Sequence, residues 1–230
     1  MTLSEETLRK AAAGCFDNAE SHCGAARVLF ESRFNCQAVA LATIGVEEFA
    51  KSLVYAVAAL MPNQRTDIPP RIDGHYAKHR VALWAEGSQI MLSEGFAVFA
   101  QESGHPYPME DRLAEYLGDL SRIGVRELVG ASRAEHRERD KSARQEYEAL
   151  EREFPGSLTG PSMKNAALYV DVADGRVLIP DRVSEEAAGQ INELRWFLKE
   201  FVALSDVLSS DQAWDAFASR VRRDHGPDSN

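Results

Sequence analysis

At 230 residues the chain suits one large domain, or one domain with an appendage, and 44% hydrophobic with 27% charged residues is the composition of an ordinary globule. A net charge of −10 excludes a broadly basic surface for nucleic acid and leaves only a local basic groove open. Cys15, Cys23 and Cys36 are odd in number, lack CxxC spacing and follow no secretory signal, so they read as reduced packing residues of a cytoplasmic protein.

Ser4 is placed to cap a first helix, with Glu5 and Glu6 in its favourable first turn and Leu3 and Leu8 spaced as a hydrophobic staple. Leu8, Ala12, Cys15, Ala19, Cys23, Ala26 and Phe30 then follow the three-and-four spacing of a long amphipathic helix. A short polar break at Arg33-Phe34-Asn35 returns the chain into Ala38–Leu60, and so short a connection makes the two helices an antiparallel hairpin.

Ala38–Leu60 is nearly all apolar, with its ionisable residues, Glu47, Glu48 and Lys51, gathered in the middle. A membrane span would put acids and a lysine near its centre at a cost of roughly 2.5–3.5 kcal/mol each, so the stretch is predicted to be a buried helix instead. Glu47 and Lys51 stand i,i+4 with the acid first, the better orientation for an ion pair. Glu48 points about 100° away, so a group from another helix is expected to answer it. A structural ion pair and a functional site are equally compatible with this pattern.

Met61–Arg71 is rich in proline and turn residues and reads as a loop; a third helix starts near Ile72 or Asp73 and runs to about Gln101. It opens on HYAKH (His75–His79), two imidazoles one turn apart, but Tyr76 stands where a zincin helix needs its glutamate and no third ligand lies close by, so no metal is expected. The loop brings this helix back beside the second, where His75 or Lys78 can approach Glu47, Glu48 or Lys51. Such a cluster could move a proton or hold a phosphate, or it could be a satisfied polar network that fixes helix register.

After a break at Glu102–Pro108, Met109–Glu153 is mostly helical by content, and its charge-dense part from Ser132 onward reads as a solvated helix face. Phe154–Ser162 is the clearest linker. Met163–Pro180 reads as an extended ribbon turning at Asp174-Gly175, which must lie on the helices because two strands alone are marginal. A helix is predicted over Val183–Leu204, a last short one after Ser209 or Ser210, and a polar tail over Arg220–Asn230. The predicted fold is therefore an all-α helical bundle with a short two-stranded or extended appendage. Residues 1–153 form the bundle core, and residues 154–230 form the extended segment and C-terminal helices that pack on it.

VEEFAK (Val46–Lys51), HYAK (His75–Lys78) and KNAALYVDV (Lys164–Val172) with Pro180 occur in an order that resembles the AbiV-type abortive infection proteins of bacteria, themselves similar to the HEPN superfamily of helical bundles. The resemblance covers roughly residues 10–190. It implies a cytoplasmic antiphage factor that arrests the infected host, without cofactor or membrane. Many HEPN relatives are metal-independent ribonucleases that dimerise around a composite cleft, so it also implies a homodimer, a phage-encoded activator or target, and RNA or the translation machinery as an object of action. A non-catalytic helical protein that binds a phage or host partner, or a domain that binds a small anion, fits the same residues.

Carried over by position, the acid–lysine motif falls on Glu47, Glu48 and Lys51, the histidine–lysine motif on His75 and Lys78, and the later motif on Lys164, Tyr169 and Asp171. In a ribonuclease His75 would move the proton, Lys51 and Lys78 would face the phosphate, and Glu47 or Glu48 would orient the cations. Tyr169 and Asp171 fit equally well as packing and turn residues. Ala50 stands where glycine is usual, and the Arg-x4–6-His signature of HEPN nucleases occurs only as Arg220–His225, in the predicted tail outside the bundle.

Overall fold

The computed structural model describes residues 3–68, 72, 75–129, 171–173, 176–178 and 184–226. The predicted linker 154–162, the charged stretch from Ser132 to Glu153, Lys164 and Tyr169 lie outside the described residues.

Helices α1 (Glu5–Glu31) and α2 (Asn35–Leu60) pack along one another as the predicted antiparallel hairpin. Ser4 caps α1, its hydroxyl accepting the amide of Thr7, and Leu8, Ala12, Ala19, Cys23 and Ala26 are buried as their spacing required. Phe16 is buried as well and Cys15 is not fully so, which turns the apolar stripe slightly from its predicted line. Arg33 closes the hairpin at φ 65°. Small residues let α2 be covered on nearly every side: 18 of its 26 residues are buried.

The predicted loop after α2 holds a 3-10 turn over Pro62–Asp67. Gln64 ties it to the bundle by donating to the carbonyl of Ser121 and accepting from the amide of Val125. Helix α3 (His75–Ser103) runs without a break through Gly87 and Gly95. Gly124, at φ 87°, ends α4 (Met109–Ile123) before the short α5 (Val125–Val129).

Strands β1 (Asp171–Ala173) and β2 (Arg176–Leu178) pair antiparallel with Val172 opposite Val177, flanking the Asp-Gly at which the turn was expected. The helix predicted over Val183–Leu204 is two helices, α6 (Ser184–Glu200) and α7 (Val202–Leu208), because the chain bends at Phe201. That bend seats the Phe201 ring against Phe49 of α2 and Tyr116 of α4, at centroid separations of 5.1 and 5.0 Å.

The predicted tail is corrected most. Ser210 caps α8 (Asp211–His225), which carries Trp214, Phe217, Ala218 and Val221 into the core and packs on α4. Of the polar residues that suggested a tail, Arg223 and Asp224 face water, whereas Arg220, Arg222 and His225 turn back onto α4 and the end of α2. The core is thus one all-α assembly of α1–α4 and α6–α8 around Phe16, Phe49, Phe197, Phe201 and Phe217. No helix among the described residues is long and apolar enough to cross a membrane.

Candidate functional site

The charged centre of α2 is split between two faces. Glu47, one turn after Thr43, turns toward α3, where Lys78 Nζ donates to its Oε2 at 2.6 Å. His79 Nε2 stands 3.8 Å from the other carboxylate oxygen. The Lys78 and Glu47 side chains are 9% and 5% exposed, and His79 is fully enclosed.

Glu48 turns toward α1 and the edge of the hairpin, where it pairs with Lys51. Those side chains are 16% and 22% exposed. The expected partnership is therefore exchanged: Lys51 answers Glu48 at i,i+3, and the group from another helix answers Glu47. Glu47 is the more deeply buried acid and needs the fully committed cation from α3. Lys51 keeps water by pairing at the half-open edge.

Two neighbours complete that edge. Burial works against the Lys51 ammonium, but the hydrogen bond and charge of Glu48, with Cys15 and Tyr55 nearby, leave its pKa raised. The Cys15 thiol is pushed up to about 11, first by burial, while Lys51 opposes and the charge and hydrogen bond of Glu48 add to the rise. A thiol held in this way donates to Glu48 and is a packing group, not a nucleophile.

Of the other predicted site residues, His75 opens α3 one turn before Lys78, and its side chain lies outside the described residues. Asp171 is paired across the ribbon with Leu178. His79, weighed in the sequence only as the second imidazole of a metal-like spacing, is the residue whose place beside Glu47 was not foreseen. Lys78, Val81, Ala82 and Ala85 form the buried face of α3, and that spacing carries His79 inward beside them.

The Arg-x4-His pair of α8 is engaged inside the bundle. Arg220 pairs with Asp111 of α4 and lies 3.9 Å from Asp224. His225 is 6% exposed, and its ring lies over Gly118. Arg122 Nη2 stands 3.0 Å from His225 Nδ1, and His225 Nε2 stands 3.7 Å from Glu115. Arg222 donates to the carbonyls of Leu60 and Ala59 at the end of α2.

Chemically, the α2 centre offers one enclosed ion pair and one half-open one. Lys78 cannot meet a phosphate without giving up its bond to Glu47 in the core, whereas Lys51 sits where solvent reaches it. Among the described residues no group of three or more His, Cys, Asp or Glu side chains is arranged to hold a metal ion.

A family model described as AbiV (HEPN_AbiV) matches residues 7–194, from the first helix into α6. No curated protein and no solved structure matches the chain.

Proposed function

The chain belongs to the AbiV family of HEPN-related proteins, and from that premise we propose that it is an antiphage abortive-infection effector that works by binding a phage or host component. The family's name points to abortive-infection defence; the mode of action is our reading. One observation carries it: the acid, lysine and imidazole that would make the most complete catalytic set, Glu47, Lys78 and His79, face one another in the closed core. There they fix the register of α2 against α3 and offer no surface to a substrate. In this reading the protein acts as a homodimer in the bacterial cytoplasm, and the half-open Glu48–Lys51 edge belongs to its working surface.

A second reading, ribonucleolytic, draws on a different observation: Arg220 and His225 stand on a helix docked to the bundle. Lys51 would then meet the phosphate, and His75 or His225 would move the proton. Digestion of total RNA by the purified protein separates the two. Intact RNA across pH and added metals, with phage exclusion retained in cells, is expected for a binding effector. Cleavage by wild type that disappears in His75→Ala or His225→Ala would replace it with the nuclease.

A further inference from the structure

Helix α4 meets the bend between α6 and α7 through a contact that is apolar at one end and polar at the other. Arg112 and Tyr116 stand one turn apart on α4, while Glu200 ends α6 and Phe201 follows it. At the apolar end the Tyr116 and Phe201 rings are 5.0 Å apart. At the polar end Arg112 Nη1 is 3.6 Å from Glu200 Oε2, an ion pair too long for a direct hydrogen bond. The guanidinium is held over the Phe96 ring of α3, 5.2 Å from its centroid, and Phe96 is stacked on Tyr107 at 4.6 Å. Phe96 also lies edge-on to Tyr116 at 6.0 Å, so the same two phenylalanines flank all three polar groups.

Each of these groups carries a buried atom that no hydrogen bond reaches among the described residues: Arg112 Nε, the Tyr116 hydroxyl and Glu200 Oε2. Tyr116 is fully enclosed, and the Arg112 and Glu200 side chains are 24% and 14% exposed. Burial first, then the charge of Glu200, push the Tyr116 hydroxyl up to about 12 against Arg112, so it keeps a proton to donate. Left unanswered, each atom would forfeit its hydration for nothing, and folded proteins answer nearly all such atoms with protein or bound water. Their valences are complementary. A guanidinium nitrogen only donates, a carboxylate oxygen only accepts, and a hydroxyl does either.

We propose that Arg112, Tyr116 and Glu200 form a site for one buried water, which bridges α4 to the α6–α7 bend. The water accepts from Arg112 Nε and from the Tyr116 hydroxyl and donates to Glu200 Oε2. About three hydrogen bonds is the usual complement of a buried water, and an ion pair stretched past direct contact is where a bridging one belongs. The bend at Phe201 is then held by a polar bridge as well as by its aromatic contacts, which fixes the direction in which α7 leaves α6.

Urea unfolding of Tyr116→Phe in the full chain tests the bridge by its sign. A hydroxyl bonded to water stabilises the fold, so its removal is expected to raise the unfolding constant by about two- to tenfold. An orphaned hydroxyl is better deleted, so an unfolding constant that stays the same or falls overturns the proposal. A crystal structure of the wild-type chain with ordered solvent identifies the partner. One water within hydrogen-bond distance of all three atoms is expected. A Tyr116 hydroxyl bonded directly to Glu200 or to another protein group overturns the bridge, as does a gap that holds no water. If Tyr116→Phe does not fold, the wild-type crystal structure decides alone.

Discussion

Lys78 Nζ on α3 and Glu47 Oε2 on α2 stand 2.6 Å apart in the closed core, the one described contact in which a lysine from another helix answers the central acids of α2. Removing either partner leaves a buried charge. Lys78→Met is expected to cost about 3–5 kcal/mol in urea unfolding, whereas Lys78→Met with Glu47→Leu recovers most of that loss. If the double variant folds and still excludes phage, the pair is scaffold. If it folds and fails to exclude phage, the enclosed pair takes part in function, and the binding reading loses its main support.

The Glu48–Lys51 pair makes the opposite prediction. At a half-open edge, Glu48→Gln or Lys51→Met is expected to change stability by no more than about 1 kcal/mol. Phage plating on cells carrying each variant then reads function without a folding artefact. Exclusion that falls at least tenfold with unchanged unfolding places this edge on the working surface, and wild-type exclusion in both variants removes it.

Cys15 lies against that edge, which gives it a chemical readout. With its thiol pushed up to about 11, roughly one molecule in a thousand carries the thiolate at pH 8. Iodoacetamide is therefore expected to label Cys15 far more slowly in the folded protein than in urea. Burial is the larger cause, so Glu48→Gln should speed labelling only modestly. Rapid labelling of native protein, followed by peptide mapping, would show the α1–α2 edge to be open.

Much of this architecture was legible in the residues. The Ser4 cap, the three-and-four spacing of α1 and the brevity of the Arg33–Asn35 break required the hairpin, and HYAKH announced a polar cluster on α3. What sequence could not supply was direction. Glu47 and Glu48 differ by one residue, and which one turns inward depends on where α3 lies, not on their spacing to Lys51. The same holds at the C-terminus. Arg220–His225 is strongly polar, and only the acids of α4 and the carbonyls ending α2 show why a helix with so many charges stays docked. Glu200 gave no signal at all, because an acid on an amphipathic helix ordinarily faces water.

Glu5 joins three of those distant parts. Its carboxylate accepts from Trp214 Nε1 at 2.6 Å, Arg65 at 2.5 Å and Arg222 at 2.9 Å. Burial alone would raise its pKa, but these three donors outweigh burial and leave it lowered. A lowered carboxyl contributes stability above the ordinary carboxylate range, and that contribution is lost as pH falls through the folded value. Glu5→Gln is expected to flatten the acid limb of a stability–pH profile measured from pH 7 to 3. Glu5→Ala should cost about 1–3 kcal/mol at pH 7 by stranding the two guanidiniums beside α2. A profile that is unchanged below pH 5 in Glu5→Gln would mean that the three donors are satisfied elsewhere.

Gly118 decides how closely α8 can approach α4. A Cβ added there would stand 2.5 Å from the His225 ring, inside any real contact distance, and the ring is pinned by Arg122 and cannot yield without losing that bond. Gly118→Ala is therefore expected to cost about 1–3 kcal/mol despite the better helix propensity of alanine. Because the clash is with one ring, His225→Ala in the same chain should relieve it, and a double-mutant cycle by urea unfolding should show strong non-additivity. The pair also tests the nuclease reading independently of stability. If His225 moves a proton, Gly118→Ala disturbs its ring and lowers RNA cleavage, and His225→Ala restores folding without restoring cleavage. If His225 only packs, the double variant recovers both folding and phage exclusion.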